Sequence, residues 1–387
     1  MIKVLKFGGT SVGSAANMKK VAEIVRREQA RITVLSAMSG TTDSLVRISR
    51  AAASGDRNAI EEQLAMLTDK YTRCIEELLR ERKQQALARM NATFGLIRDE
   101  AAAFAEYESE RKIIAQGELL TSAIFTAYLQ ETGLKAECLY SPDFMVKDPG
   151  EKVDTERIGR ALARVAGDDS TFFVAQGFIC SDSQGRIDNL GRGGSDYSAA
   201  LMGAAVEAAE VQIWTDIDGM HNNDPRFVDN TRPIRTMSFD EAAELAYFGA
   251  KILHPATIQP CKDHGIAVLL KNTMDPEAPG TTISNRDDDT KSFHAVAAKD
   301  GITVIRIHSA RMLMAYGFLR KVFEIFEQYR TPIDMITTSE VAVSLTVDND
   351  SHIDEIVRDL SALGSIEIER GNSIVCVVGR MEHGVPG

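Results

Sequence analysis

The chain has 387 residues, 44% of them hydrophobic and 26% charged, with a formal net charge of −12. That is more chain than one hydrophobic core usually serves, so two domains are expected, in a composition typical of globular proteins. The acidic balance implies no basic face and argues against a nonspecific nucleic-acid binder, and no apolar run approaches the roughly 18 residues of a membrane span.

The N-terminus runs straight into IKVLKF with no basic segment ahead of it, so no signal peptide is expected. Five scattered cysteines, Cys74, Cys138, Cys180, Cys261 and Cys376, form no CxxC and no metal spacing. They read as free thiols of a reducing compartment, which makes the cytoplasm the expected location.

Residues 2–7 are a β-rich run, followed by GGTSVGS and a helical pattern over 15–27, with Val21, Ile24 and Val25 at helical spacing. Strand, glycine turn and helix form a βα unit whose turn can approach a phosphate. It is not a Walker loop, because Lys6 precedes the glycines, and GxGxxG is absent. Any βα turn would explain Gly8 and Gly9; a lysine at the strand's end is less well explained.

Residues 32–36 predict a second strand, and MSGTT at 38–42 a second small-residue turn. From 57 to 107 the chain is charged and helical in period, with Leu64, Leu67, Tyr71, Ile75, Leu78 and Leu79 on one face. This predicts a helical hairpin covering a sheet. Residues 113–115 then lead into QGELLTSAIFTAYL, where Glu118 is expected to open a helix and complement its dipole.

TFFVAQGFI at 171–179 is strand-like and passes through SDSQGRIDN into GRGGSDYSAA at 191–200. Three glycines surround Arg192, and Ser195 or Asp196 is the expected N-cap of an alanine-rich helix running to Ala209. A helix start offers free N–H groups and a positive dipole end to an anion. Arg192 adds a bidentate donor for a carboxylate or phosphate, and Asp196 an acceptor for an ammonium group. An ordinary glycine turn with a capping aspartate explains this motif alone equally well.

Residues 211–217 predict the next strand, with Thr215 and Asp216 at its C-terminal end, where open α/β sheets bind ligands. A helix follows, ending near Gly249 with Lys251 just beyond, and residues 266–270 close the series. Strands separated by helices throughout give an α/β fold, a mostly parallel sheet covered by helices on both faces. This α/β region is expected over 1–285, and the polar run NRDDDTKS at 285–292 supplies the linker, 286–292. Beyond it, strand 302–307, helix 318–329, strands 333–336 and 341–347, helix 353–363 and strand 374–378 come close to a ferredoxin-like βαββαβ module. The module holds no cluster of acids, bases or nucleophiles, which suits binding or dimerisation better than catalysis.

KFGGTSV at 6–12, GRGGSDYSAAL at 191–201, WTDIDG at 214–219, NDPR at 223–226 and FGAKILHP at 248–255 resemble, in this order and spacing, the aspartate kinase family. MITTSEV at 335–341 is similar to that family's ACT regulatory domain, so the resemblance covers essentially the whole chain. It implies the amino acid kinase fold and an ACT region over 293–387, with a first module at about 301–371. It also implies transfer of the ATP γ-phosphoryl group to the β-carboxylate of L-aspartate, the first step towards lysine, threonine and methionine. An aspartate side chain, of pKa about 3.9, is already ionised near neutral pH and needs no general base. The work left to the protein is positioning and charge neutralisation.

By the same resemblance, Lys6 and Asp196 are the catalytic pair, with Lys6 on the transferring phosphoryl oxygens beside Gly8 and Gly9. Thr42, Glu118, Phe178, Arg192 and Ser195 surround aspartate, Arg192 gripping a carboxylate and Glu118 the amino group. Thr215, Asp216, His221, Arg226 and Lys251 fall at ATP positions, with Mg²⁺ arriving on the nucleotide and no separate metal site. His221 stands where related enzymes often have tyrosine, and Asn189 where threonine is common.

In the C-terminal module, Met312, Gly317, Phe318, Leu319, Asp334, Thr338 and Ser339 are the implied effector residues. Lysine is the expected effector, although Met314, Ala315, Tyr316 and Pro332 depart from lysine-sensitive members. The chain stops at Gly387 where the family would enter another helix, so a truncated second module is expected. Strand 293–299 would then lack its sheet partners, lysine inhibition would be weak, and a homodimer would need that region complete. Rival readings are a kinase of the same fold acting on acetylglutamate, glutamate, carbamate or a nucleotide, and a non-catalytic amino-acid sensor.

Overall fold

A computed structural model describes residues 1–379 except 151, 169, 249–252, 254–256, 286–293 and 310–315. Two compact units lie within Met1–Ser292 and Phe293–Gly379.

The opening apolar run becomes β1 (Lys3–Phe7), whose last four residues are buried. It pairs in parallel with β2 (Ile32–Leu35) on one side and β8 (Glu210–Thr215) on the other. From that centre the sheet extends to eight strands, in the order β3 (Ala136–Cys138), β5 (Phe172–Gln176), β2, β1, β8, β10 (Ala267–Asn272), β11 (Thr281–Ser284), β9 (Thr236–Ser238). Every pairing is parallel except β10 with β11. Central parallel strands are covered on both faces, which is why their sequences are continuous apolar runs without alternation. A small second sheet holds β4 (Val146–Lys147), β6 (Ile179–Asp182) and β7 (Ile187–Asn189).

The helices of this unit are α1 (Ala15–Glu28), α2 (Thr41–Ser54), α3 (Arg57–Leu78), α4 (Lys83–Ala102), α5 (Glu106–Glu131), α6 (Thr155–Gly167), α7 (Gly194–Ala205), α8 (Phe239–Tyr247) and α9 (Gln259–Asp263). α1 begins where the sequence places it, with the Ser14 side chain accepting from the Asn17 amide. The apolar face expected along α3 is buried in a core shared with α1, α2, α5 and β1. At its centre the rings of Phe7 and Trp214 stack 5.8 Å apart.

Two local expectations are corrected. Glu118 does not open a helix: α5 runs unbroken for 26 residues and Glu118 lies in its middle, so the helix-dipole account of Glu118 falls. The paired isoleucines at 113–114 weaken helical preference, but both are buried, and packing outweighs that small cost. Nor does Ser195 or Asp196 cap α7. Gly193 does, in the left-handed conformation at φ 71°, which brings both residues inside the first turn. α7 also stops at Ala205, short of Ala209.

The second unit runs β12 (Ala295–His308), α10 (Phe318–Gln328), β13 (Met335–Thr338), β14 (Ala342–Val347), α11 (Ile353–Leu360), β15 (Ser365–Val378). Its sheet, β13-β14-β12-β15, is antiparallel throughout, giving the expected βαββαβ arrangement. Ile305, Ile307, Val343 and Leu345 pack against Phe318, Val322 and Ile356. The expected separate strands at 293–299 and 302–307 are one strand, with register shifts beside Gly301. Residues Ala295–Lys299 do not lack a partner: they pair with Ile374–Val378 of β15.

Candidate active site

The glycine-flanked turns at 8–9 and 191–194 meet at the C-terminal ends of parallel strands, the usual ligand end of such a sheet. Lys6 approaches from the end of β1, Ser36 directly follows β2, and Phe178 follows β5. The approach of β5 to α7 is tight: a Cβ at Gly177 would lie 2.6 Å from that of Ser195, so only glycine fits. A cavity of about 330 Å³ results, lined by Lys6, Ser36, Thr42, Glu118, Phe178 and the run Gly191, Arg192, Gly193, Gly194, Ser195, Asp196.

Lys6 Nζ lies 2.6 Å from Asp196 Oδ1 as an ion pair, with both side chains largely buried. Ser36 Oγ donates to Ser195 Oγ at 3.0 Å. Phe178 holds a left-handed backbone at φ 68°, which costs a bulky residue about 1–3 kcal/mol. Its amide donates to Ser198 Oγ at 3.0 Å, which helps fix the ring as a wall.

Opposite stands Glu118, only 3% exposed. Its Oε1 accepts from the Ala37 amide at 3.2 Å, while Oε2 has no hydrogen-bond partner among the described residues. One turn on, Thr121 Oγ1 accepts from the Met38 amide at 3.2 Å and lies 3.3 Å from the Tyr71 hydroxyl. α5 thus holds the turn after β2 through consecutive amides. Burial pushes the Glu118 carboxyl up to about 7 despite the opposing Ala37 N–H. A buried carboxylate oxygen with nothing to accept from is costly, and a cationic donor entering the cavity would relieve it. Arg192 is exposed, and among the described residues its guanidinium is held by no hydrogen bond or ion pair. The cavity therefore presents a free cation, a half-satisfied carboxylate and a Lys–Asp pair, a set suited to a small zwitterion carrying an additional anionic group.

The amino acid kinase family model matches residues 1–272. The chain is 35% identical to lysine-sensitive aspartokinase 3 of Escherichia coli, over 98% of this chain and 87% of that one. It is also 35% identical to the chloroplastic aspartokinase 1 of Arabidopsis thaliana, over 98% and 71%. The chain belongs to the aspartokinases of the amino acid kinase family. Its structure agrees with the E. coli aspartokinase III complex with aspartate and ADP at a TM-score of 0.85 and 33% identity, over 98% of this chain and 88% of that one. The same enzyme bound to lysine and aspartate agrees at 0.81.

In this aspartokinase Thr215, Asp216, His221 and Arg226, four of the residues expected at the nucleotide, lie on and after β8, outside the lining of the cavity. The Gly8 amide donates to Trp214 O at 3.2 Å, which ties the first glycine turn to β8. Thr215 Oγ1 accepts from the Ile217 amide at 3.2 Å, and Asp216 is exposed. His221 is clasped between Asp218 Oδ1 at 2.7 Å and Thr231 Oγ1 at 2.9 Å. Arg226 folds onto Asp224, whose carboxyl this hydrogen bonding holds below its usual range. Lys251 and Met312 lie outside the described residues. In the second unit, Gly317 caps α10 and Phe318 and Leu319 begin it; Thr338 ends β13, and the Ser339 amide donates to Ala342 O. The Asp334 carboxylate, 1% exposed, lies 3.4 Å from Lys299 Nζ, which also reaches Asp348 at 2.6 Å.

Sequence reading missed Ser36. Its only signal was position, at the end of a strand and before a small-residue turn. For Arg192 the structure sharpens one expectation. Arg192→Lys keeps the charge but loses the planar fork, so it should raise the aspartate KM by roughly tenfold. Steady-state kinetics decide: an unchanged KM would make Arg192 a loop residue only.

Proposed function

We propose that the chain is an aspartate kinase, forming an acyl phosphate from ATP and the β-carboxylate of L-aspartate. The observation that carries this reading is a buried Glu118 oxygen with no partner among the described residues, on a side chain lining a cavity that also holds Arg192, likewise unpaired among them, and the Lys6–Asp196 pair. Glu118 takes the substrate ammonium and Arg192 its α-carboxylate, which leaves the β-carboxylate towards Lys6. An oxygen of that carboxylate attacks the γ-phosphorus, the bond to the β-phosphate oxygen breaks, and ADP leaves. No proton has to move. Lys6 meets the negative charge spread over the transferring phosphoryl oxygens, and Asp196 keeps the ammonium in place. Thr42, Phe178 and Ser195 shape the pocket. Gly8, Gly9, Thr215, Asp216, His221 and Arg226 form the ATP side, with Arg226 released from Asp224 when phosphate arrives.

Mg²⁺ suits the hard oxygen donors beside the cavity, the Asp196 carboxylate and the Ser36 and Ser195 hydroxyls, and it would neutralise phosphate charge there. ADP formation with a far higher kcat/KM for aspartate than for acetylglutamate, glutamate or carbamate tests the reading. Turnover with one of those acceptors alone would overturn it.

The second unit is read as the effector-binding part, with lysine the favoured ligand. Amides at the start of α10 would take its carboxylate and Asp334 its ammonium. Lys299 already neutralises Asp334, so lysine has to compete with an ammonium of the chain itself. Weak lysine binding is therefore expected by calorimetry, tightened in Lys299→Met. Equal affinity in both proteins would remove Asp334 from the effector site.

A further inference from the structure

Asp188 lies outside the cavity, on β7, and is 6% exposed. Three side chains from two other elements converge on it. Lys147 of β4 reaches Oδ2 at 2.7 Å. From α5, Tyr107 donates to Oδ1 at 3.2 Å, and Arg111 Nε lies 3.2 Å from the same oxygen, close in charge though not aligned as a hydrogen bond. Lys147 Nζ also donates to Asn189 O at 3.3 Å. Burial raises the Asp188 carboxyl, but the Lys147 hydrogen bond, the Asn189 amide and the two cations outweigh it and hold the group ionised below its usual range.

The position of this cluster gives it a use. Asp188 is followed by Asn189, whose Oδ1 accepts from the Gly191 amide at 3.1 Å. Arg192 then stands between Gly191 and Gly193, both at φ 71°. At Gly191 a Cβ would meet nothing within 4 Å, so packing does not hold the loop at that point. Two left-handed glycines give Arg192 no stiffness of their own; the Gly194 amide, donating to Gly191 O at 3.0 Å, holds the loop from the α7 side, and Asn189 holds it from upstream. On the other arm, Arg111 lies seven residues before Glu118 along α5. Two helical turns, about 10 Å, put them on the same face. One buried carboxylate therefore ties the helix bearing Glu118 to the loop bearing Arg192.

We propose that Asp188 is a positioning residue that sets the span between Arg192 and Glu118, and thereby selects aspartate over its homologue one methylene longer. This rests on the reading of the cavity as the aspartate site. A fixed span matters because one methylene in a pocket is worth only about 10–200-fold in discrimination, an amount that a loosened loop can erase.

The test compares Asp188→Asn, Lys147→Met, Lys147→Arg and Arg192→Ala with the parent enzyme. Asp188→Asn should raise the aspartate KM about tenfold, leave the ATP KM within about twofold, and lower the aspartate-to-glutamate ratio of kcat/KM by about tenfold. Lys147→Met should move the same two quantities in the same direction by less, and Lys147→Arg should preserve them. A merely structural role would lower Tm and the active fraction while leaving KM and selectivity unchanged, and that result overturns the proposal. If Asp188→Asn does not fold, the two Lys147 variants decide in the same way. Arg192→Ala separates the layers. A raised aspartate KM there with normal selectivity in the Asp188 and Lys147 variants refutes only the positioning role. An unchanged KM there refutes the site reading and the proposal with it.

Discussion

Lys6→Ala should lower kcat by about a hundredfold or more while the protein stays folded, because Lys6 is the cation nearest the expected phosphoryl path. Removal of one preorganised charge-stabilising group typically costs that much in rate. The fold should survive because the side chain ends in the cavity and makes no core contact comparable to its neighbours Leu5 and Phe7, both fully buried. The main structural loss is its pair with Asp196. Asp196→Ala should act in parallel, since an unheld Lys6 ammonium no longer has a fixed position. Turnover of both variants measured beside thermal melts settles the matter. Near-normal turnover in folded Lys6→Ala would sink the catalytic assignment.

The second large effect has two opposite signs. Burial raises the Glu118 carboxyl from its ordinary 4.5 to about 7. Between those values the folded protein binds a proton that the unfolded chain does not. The stability linked to that proton is complete below pH 4.5 and is lost as pH rises through 7, on the order of 3 kcal/mol in all. Glu118→Gln, neutral at every pH, should therefore melt higher than the parent at pH 8 and converge with it near pH 4.5. Its aspartate KM should rise about thirtyfold or more, because a buried charge partner for the ammonium is gone. The parent should show the same weakening as pH falls below 7 and Glu118 takes up its proton. Higher stability without weaker aspartate binding would place the substrate ammonium elsewhere.

The legible parts of the site were those whose chemistry is local in the chain. A lysine ahead of paired glycines and an arginine among three glycines are each compatible with an ordinary turn, and point to ligand contact only when taken together with the other motifs. Glu118 was named through the family resemblance, but its setting was misread. Nothing between residues 105 and 118 shows that α5 is continuous; that follows from burial of Ile113 and Ile114, a tertiary fact. Asp188 gave no signal at all, since Tyr107, Arg111 and Lys147 reach it only after the small sheet and α5 have packed. In the second unit the strand pattern was readable, but the union of two expected strands was not. The two expected strands join across Gly301 in one ladder, with a register shift on each side of Ile302.

The placement of β1 bears on how the chain is made. Its neighbour on one side, β2, follows within one helix, whereas β8 is complete only at Thr215. At typical synthesis rates of about 5–20 residues per second, roughly ten to forty seconds separate Phe7 from Thr215. Throughout that interval the nascent chain carries the strand bearing Lys6 with one unpaired apolar edge, which is a sticky surface. The loop of Arg192 and the first turn of α7 are made only just before that edge is closed. Binding competence therefore arrives late and all at once, and N-terminal fragments ending before β8 should be clients of chaperones rather than small working kinases.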